Sequence, residues 1–149
     1  QFGLSYLYIP HVLGVVRSIA HRVAVMYLGQ IVELRETEAF FREPRHPYSQ
    51  GLLASVPRLV ARPPSSENRE ARRERLLIAG EVPSPVHPPS GCRFHTRCPK
   101  CFQRCPREAP VLYEVPQGSS RCFLDDPAQP SLAAGAPAAH ASGAAGASS

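Results

Sequence analysis

The sequence predicts an α/β fold followed by a small, cysteine-rich, loop-rich extension. Three observations predict it. Residues 1–56 alternate short apolar runs with helically spaced ones, punctuated by Gly and Pro. Residues 91–106, GCRFHTRCPKCFQRCP, hold four of the chain's five cysteines. Elsewhere the apolar pattern fails: residues 57–75 are rich in Pro and Arg, and residues 125–149 contain one large aliphatic residue, Leu132. The first of these reads as a linker. The second cannot bury enough apolar surface to offset the entropy of ordering it, and reads as a disordered tail. The compact segments are therefore 1–56 and 76–124 of the 149 residues. Each is small for a core that stands alone.

The elements follow in order. LSYLYIP (4–10) is an apolar, aromatic run closed by proline and reads as a buried strand. Val12, Val15, Val16 and Ile19 fall at helical spacing, so 12–20 reads as a helix. VAVMYL (23–28) and QIVEL (30–34) flank Gly29 and read as a hairpin. Thr37 is placed to N-cap a short helix that Pro44 ends. Pro47 opens another helix, PYSQGLLASV, with Tyr48, Leu52 and Val56 on one face, and Pro57 stops it. The opening strand wants neighbours on both sides, so the first segment reads as the end of a larger α/β domain. In the second segment LLIA (76–79) is a candidate strand, 80–91 an extended loop rich in proline, and RCFL (121–124) a short closing strand.

The net charge is +5, carried almost wholly by arginine, with Lys100 the only lysine. A solvated linker accounts for this as well as a nucleic-acid partner does. No aromatic residues interleave with the arginines of 69–75 to stack bases, so no nucleic-acid partner is expected. There is no apolar run long enough to span a bilayer, and no signal peptide is visible.

An odd number of cysteines without an export signal argues against a disulfide framework. Clustered thiols in a reducing compartment point to metal ligation. A zinc ribbon needs two C-x-x-C knuckles, and only Cys98 and Cys101 form one. Four thiolates also suit an iron–sulfur cluster. Spacing leaves open whether Cys92 or Cys101 completes a four-cysteine set.

The stretch FGLSYLYIPHVLGVVRSIAHRVAVMYLGQIVEL resembles the region around the switch histidine of ABC transporter ATP-binding subunits. REPRHPYSQGLLASVPR followed by GEVPSPVHPPSGCRFHTRCP resembles, more narrowly, the C-terminal part of the ATP-binding subunits of bacterial oligopeptide/dipeptide importers, over about Phe2 to Leu124. The resemblance implies that 1–56 is the C-terminal end of an ABC-type nucleotide-binding domain and 76–124 the transporter family's cysteine-rich extension. It implies ATP and Mg²⁺ as the parent subunit's cofactors, a second ATPase subunit and membrane permease subunits as partners, and a cytoplasmic place on the inner face of the plasma membrane. His11 aligns with the switch histidine, which contacts the γ-phosphate. The family usually reads Ser-His-Asp there. This chain reads Pro10-His11-Val12, which removes an N–H and a carboxylate. The spacing Cys92-x5-Cys98-x6-Cys105-x16-Cys122 matches the set that several such subunits use for a 4Fe–4S cluster, leaving Cys101 spare.

The glycine-rich phosphate loop, signature motif and catalytic glutamate of the family are not among these residues, so this chain alone is expected not to hydrolyse ATP. The competing expectation is a stand-alone cysteine-ligated metal module, iron–sulfur or zinc, without ATPase activity. RHPY (45–48) is characteristic of the family but suggests no chemistry: Pro47 starts a helix, Tyr48 packs on it, and Arg45 and His46 cap it.

Overall fold

The structure is a computed structural model and describes residues 4–10, 12–55, 78 and 80–128. His11, the linker 57–75, most of LLIA and the tail beyond Ala128 lie outside the described residues.

Helix α1 (Leu13–Ile19) leads into strands β1 (Arg22–Tyr27) and β2 (Gln30–Glu36), then α2 (Thr37–Arg42) and α3 (Pro47–Ser55). The second segment adds β3 (Tyr113–Val115) and β4 (Gly118–Ser120), with 3₁₀ turns at His95–Arg97 and Phe123–Asp125. All four strands form one antiparallel sheet in the order β1-β2-β4-β3. The two segments read separately in the sequence thus share a sheet, through Glu33↔Ser120, Leu34↔Ser119 and Arg35↔Gly118.

The β1–β2 hairpin forms as its pattern predicts. Val23, Val25 and Tyr27 alternate inward on β1, and Leu28 and Gly29 make a two-residue turn with both φ positive. A bulge opposite Val25 and Met26 inserts one extra residue in β2. Successive residues Val32 and Glu33 are therefore both buried. The core gathers Val16, Val23, Val25, Tyr27, Val32, Phe40, Leu53 and Phe94. Phe94 comes from the cysteine-rich segment, so that segment borrows the core of the first.

Several expectations are corrected. Residues 4–10 are not a buried strand: Leu4, Tyr6, Leu7, Tyr8 and Ile9 are exposed, and no described strand lies beside them to complete a ladder. Only Val16 of α1 is fully buried. Thr37 does not cap α2. Glu36 is the N-cap residue, and the Thr37 hydroxyl donates to Ala20 O at 2.7 Å, holding α1 against the hairpin. RCFL is not a strand, because the ladder beside β2 is taken by β4 and Phe123 begins a 3₁₀ turn. The YEV–PQ–GSS hairpin was not anticipated, since each arm is three residues long. Asp125 and Asp126, assigned to the tail, are packed; Asp126 accepts from Arg104, Tyr113 and the Ala128 N–H.

Candidate metal centre

The RHPY turn is held from below. Glu33 is fully buried in β2, where its carboxylate accepts the main-chain N–H groups of Arg45 and His46, each at 2.9 Å. The Arg35 guanidinium lies 3.8 Å away and supplies the opposite charge that a buried carboxylate needs. With its backbone fixed, His46 turns its ring back, and Nδ1 accepts the Tyr48 N–H at 3.1 Å. That satisfies one of the open donors in the first turn of α3, with Pro47 at the position where a missing N–H costs nothing. Burial holds the imidazole down to about 3, so the ring is neutral, as an accepting Nδ1 requires. The expected capping by His46 and packing by Tyr48 are what the structure shows.

Phe94 joins this turn to the cysteines. Its ring, 1% exposed, meets Tyr27, Tyr48 and His46 at centroid distances of 5.2, 5.4 and 5.6 Å. Phe94 lies two residues beyond Cys92, so the aromatic contact docks the cysteine loop onto α3. Arg93 donates to Leu28 O in the hairpin turn, and Lys100 to Gln50 Oε1 at 3.0 Å. These basic side chains bind the loop to the hairpin and to α3. Arg104 likewise reaches Glu108 and Asp126 and covers the Phe123 ring.

Gly91 permits the loop's tightest approach. Its φ is +66°, and a Cβ there would sit 2.4 Å from Cys105 O. The next residue, Cys92, donates its N–H to that same carbonyl at 2.8 Å. Cys92 and Cys105 are thereby brought side by side.

All five cysteines are free thiols. Burial raises Cys92, pushes Cys98 up to about 12 and raises Cys122, and the neighbouring cysteines add to each shift. Opposing this, backbone N–H groups of Phe94 and His95 face Cys92 sulfur, that of Lys100 faces Cys98, and that of Leu124 faces Cys122. In each case one donor is at the second residue after the cysteine, and Cys92 has another at the third. A backbone N–H aimed at sulfur lowers the cost of a buried thiolate, and such bonds tune thiolate-held metals. Cys101 differs: it is pushed up to about 11 by burial and by its hydrogen-bonded neighbour Cys105, with no backbone N–H contribution. Among the described residues no group of three or more His, Cys, Asp or Glu is placed so that it could hold a metal ion. Thiols are the right donors for a four-thiolate set, but the structure does not arrange four of them as one. What the fold supplies is the neighbourhood of the thiols and their backbone donors.

The RHPY turn and the GCRFH loop that meet at Phe94 both fall within one family match. The family described as "Oligopeptide/dipeptide transporter, C-terminal region" matches residues 32–105. The chain belongs to this family. Its relatives include DppF of Escherichia coli, a dipeptide transport ATP-binding protein, 44% identical over 126 residues, which are 85% of this chain and 35% of DppF. YkfD of Bacillus subtilis, named for oligopeptide transport and ATP binding, is 47% identical over 116 residues, 78% of this chain and 33% of YkfD. The peptide ABC transporter relative y4tS of Sinorhizobium fredii is 46% identical over 129 residues, 86% of this chain and 34% of its own length. The chain thus spans about a third of the length of these relatives. No helix among the described residues is long and apolar enough to cross a membrane.

The site residues that sequence reasoning missed are Glu33 and Phe94. Glu33 is a lone charge in an otherwise apolar strand, QIVEL, and Phe94 a lone aromatic inside CRFH. Each is anomalous for its setting, and that was the available signal.

Proposed function

We propose that the chain serves as the C-terminal part of the ATP-binding subunit of a peptide-importing ABC transporter. The subunit would use ATP and Mg²⁺, pair with a second ATPase subunit, and sit on the cytoplasmic face of the membrane against permease subunits. The observation that carries this reading is the joint presence of the Glu33-held RHPY turn and the Phe94-docked cysteine loop within the residues the transporter family matches. His11 is the switch histidine of this reading, acting on the γ-phosphate. A group that acts there affects the transition state more than ground-state binding, which the phosphate loop dominates.

A chimera tests it. The matching C-terminal segment of DppF is replaced by this chain in a strain lacking DppF, and dipeptide uptake is measured. Uptake should return with the chimera and be lost with its His11→Ala form while ATP binding persists. Equal uptake by both forms would overturn the role of His11. A folded, ATP-binding chimera without uptake would overturn the transporter reading.

In the same reading Cys92, Cys98, Cys105 and Cys122 hold a 4Fe–4S cluster. Such a cluster supplies a compact cross-link between the loop and the 3₁₀ turn at Phe123. The chain's own part would be to supply the four thiols, with the backbone N–H groups beside Cys92, Cys98 and Cys122 offsetting the cost of burying their charge. Anaerobic reconstitution should give brown protein that survives Cys101→Ser and is lost in Cys98→Ser. Retained colour in Cys98→Ser, or one bound zinc with no uptake of iron, would overturn this ligand assignment.

A further inference from the structure

Residues 123–128 fold back across the cysteine-rich segment as a strap. The chain turns through Phe123–Asp125, and the Asp126 N–H donates to Phe123 O at 3.2 Å. The Asp126 carboxylate then gathers three donors. Oδ2 accepts from Arg104 at 2.8 Å and from the Tyr113 hydroxyl at 3.1 Å, and Oδ1 accepts the Ala128 N–H at 2.9 Å. The Arg104 guanidinium also lies 4.1 Å from the centre of the buried Phe123 ring. Asp125, the neighbour, meets Arg45 only at 3.9 Å, beyond hydrogen-bond reach. The contacts of Asp126 therefore hold the strap down.

Cys105 and Cys122 are buried, while Cys92, Cys98 and Cys101 are half-buried. Cys105 follows Arg104 and Cys122 precedes Phe123, so both buried thiols adjoin these contacts. None of the residues involved belongs to the core cluster around Phe40 and Phe94, so the strap can lift while that core stays closed. We infer that residues 123–128 are a releasable strap over Cys105 and Cys122, with Arg104, Tyr113 and Asp126 as its catch. Closed, it keeps thiol reagents and thiophilic metal ions from these two sulfurs; open, it admits them. The metal half rests on the cluster reading above; the protection of the thiols does not.

Trypsin makes the test direct, because it releases each cysteine in its own peptide: Cys92 in 76–93, Cys98 in 98–100, Cys101 in 101–104, Cys105 in 105–107 and Cys122 in 122–149. Reduced, metal-free full chain and its Tyr113→Phe and Asp126→Ala forms are pulsed with iodoacetamide, and labelling is read by mass spectrometry. Tyr113→Phe removes one hydroxyl and keeps the ring. Labelling of Cys105 and Cys122 should rise roughly fivefold in it, the population equivalent of one lost hydrogen bond, and further in Asp126→Ala. Labelling of Cys92, Cys98 and Cys101 should stay at the parent's rate. No rise in Tyr113→Phe, or an equal rise at all five cysteines in that variant, would overturn the strap. In parallel, the parent and Tyr113→Phe are offered iron and sulfide. The variant should colour faster and reach the same final absorbance. Equal rates alongside the confined rise in labelling would overturn the control of metal entry. Protein that never colours in either form would overturn the cluster and leave the labelling result standing.

Discussion

The carboxylate of Glu33, inside β2, accepts the main-chain N–H of His46 at 2.9 Å, so a buried charge in the sheet sets the start of α3. The same carboxylate holds the Arg45 N–H, and Arg35 balances its charge at 3.8 Å. One side chain thus fixes the turn on which Phe94 and the cysteine loop rest.

Glu33→Ala would leave two buried N–H groups and the Arg35 guanidinium without their acceptor. The expected loss of stability is about 3–5 kcal/mol, the usual result of breaking a buried pair from one side. Glu33→Gln keeps an acceptor oxygen and should lose less. Urea unfolding of the three proteins measures this; an alanine variant as stable as the parent would show that the turn holds itself.

Stability should fall on acidification through His46. Burial holds its ring down to about 3, against 6.5 for the ordinary group. Between those values the unfolded chain binds a proton that the folded chain refuses, so stability rises with pH across the window and is lost as pH falls. The slope is about 1.4 kcal/mol per pH unit. His46→Asn keeps a capping acceptor and does not titrate. From pH 6.5 to 5 the parent should lose about 2 kcal/mol more than this variant. Identical pH slopes would mean that the folded ring takes up the proton.

Phe94→Ala should destabilise the fold by about 3–5 kcal/mol, as the truncation of a fully buried aromatic does. It should also weaken metal retention, because Phe94 docks the loop carrying Cys92. Thermal unfolding reads the first effect, and iron release to a chelator the second. Retention unchanged at a temperature where the variant is folded would separate the loop from its anchor.

Gly91→Ala should impair the cysteine loop specifically. The added Cβ would lie 2.4 Å from Cys105 O and 2.7 Å from the Pro106 carbonyl carbon, at a φ of +66°. Backbone atoms cannot swing aside as a side-chain tip can. The expected result is a lowered melting temperature and poor reconstitution with iron and sulfide. Normal loading by this variant would show that the Cys92–Cys105 contact is not needed for it.

The sequence by itself determined the local elements whose signals are local. Val23, Val25 and Tyr27 alternate toward Gly29, and that period and turn suffice for the β1–β2 hairpin. Pro47 suffices for the start of α3, and the RHPY and cysteine patterns suffice for the family. Tertiary structure decided the rest, because it depends on partners distant in sequence. LSYLYIP carries every mark of a buried strand, yet burial requires a neighbour, and none of the described strands lies beside it. Tyr113–Val115 and Gly118–Ser120 are too short to announce themselves, and they become strands because β2 offers an open edge to Ser120 and Gly118. No local pattern says that Glu33 will meet His46, since a β-bulge first turns Glu33 inward alongside Val32. Spacing along the chain fixes which residues share a face of one element, and only the closing of turns and edges fixes which faces meet.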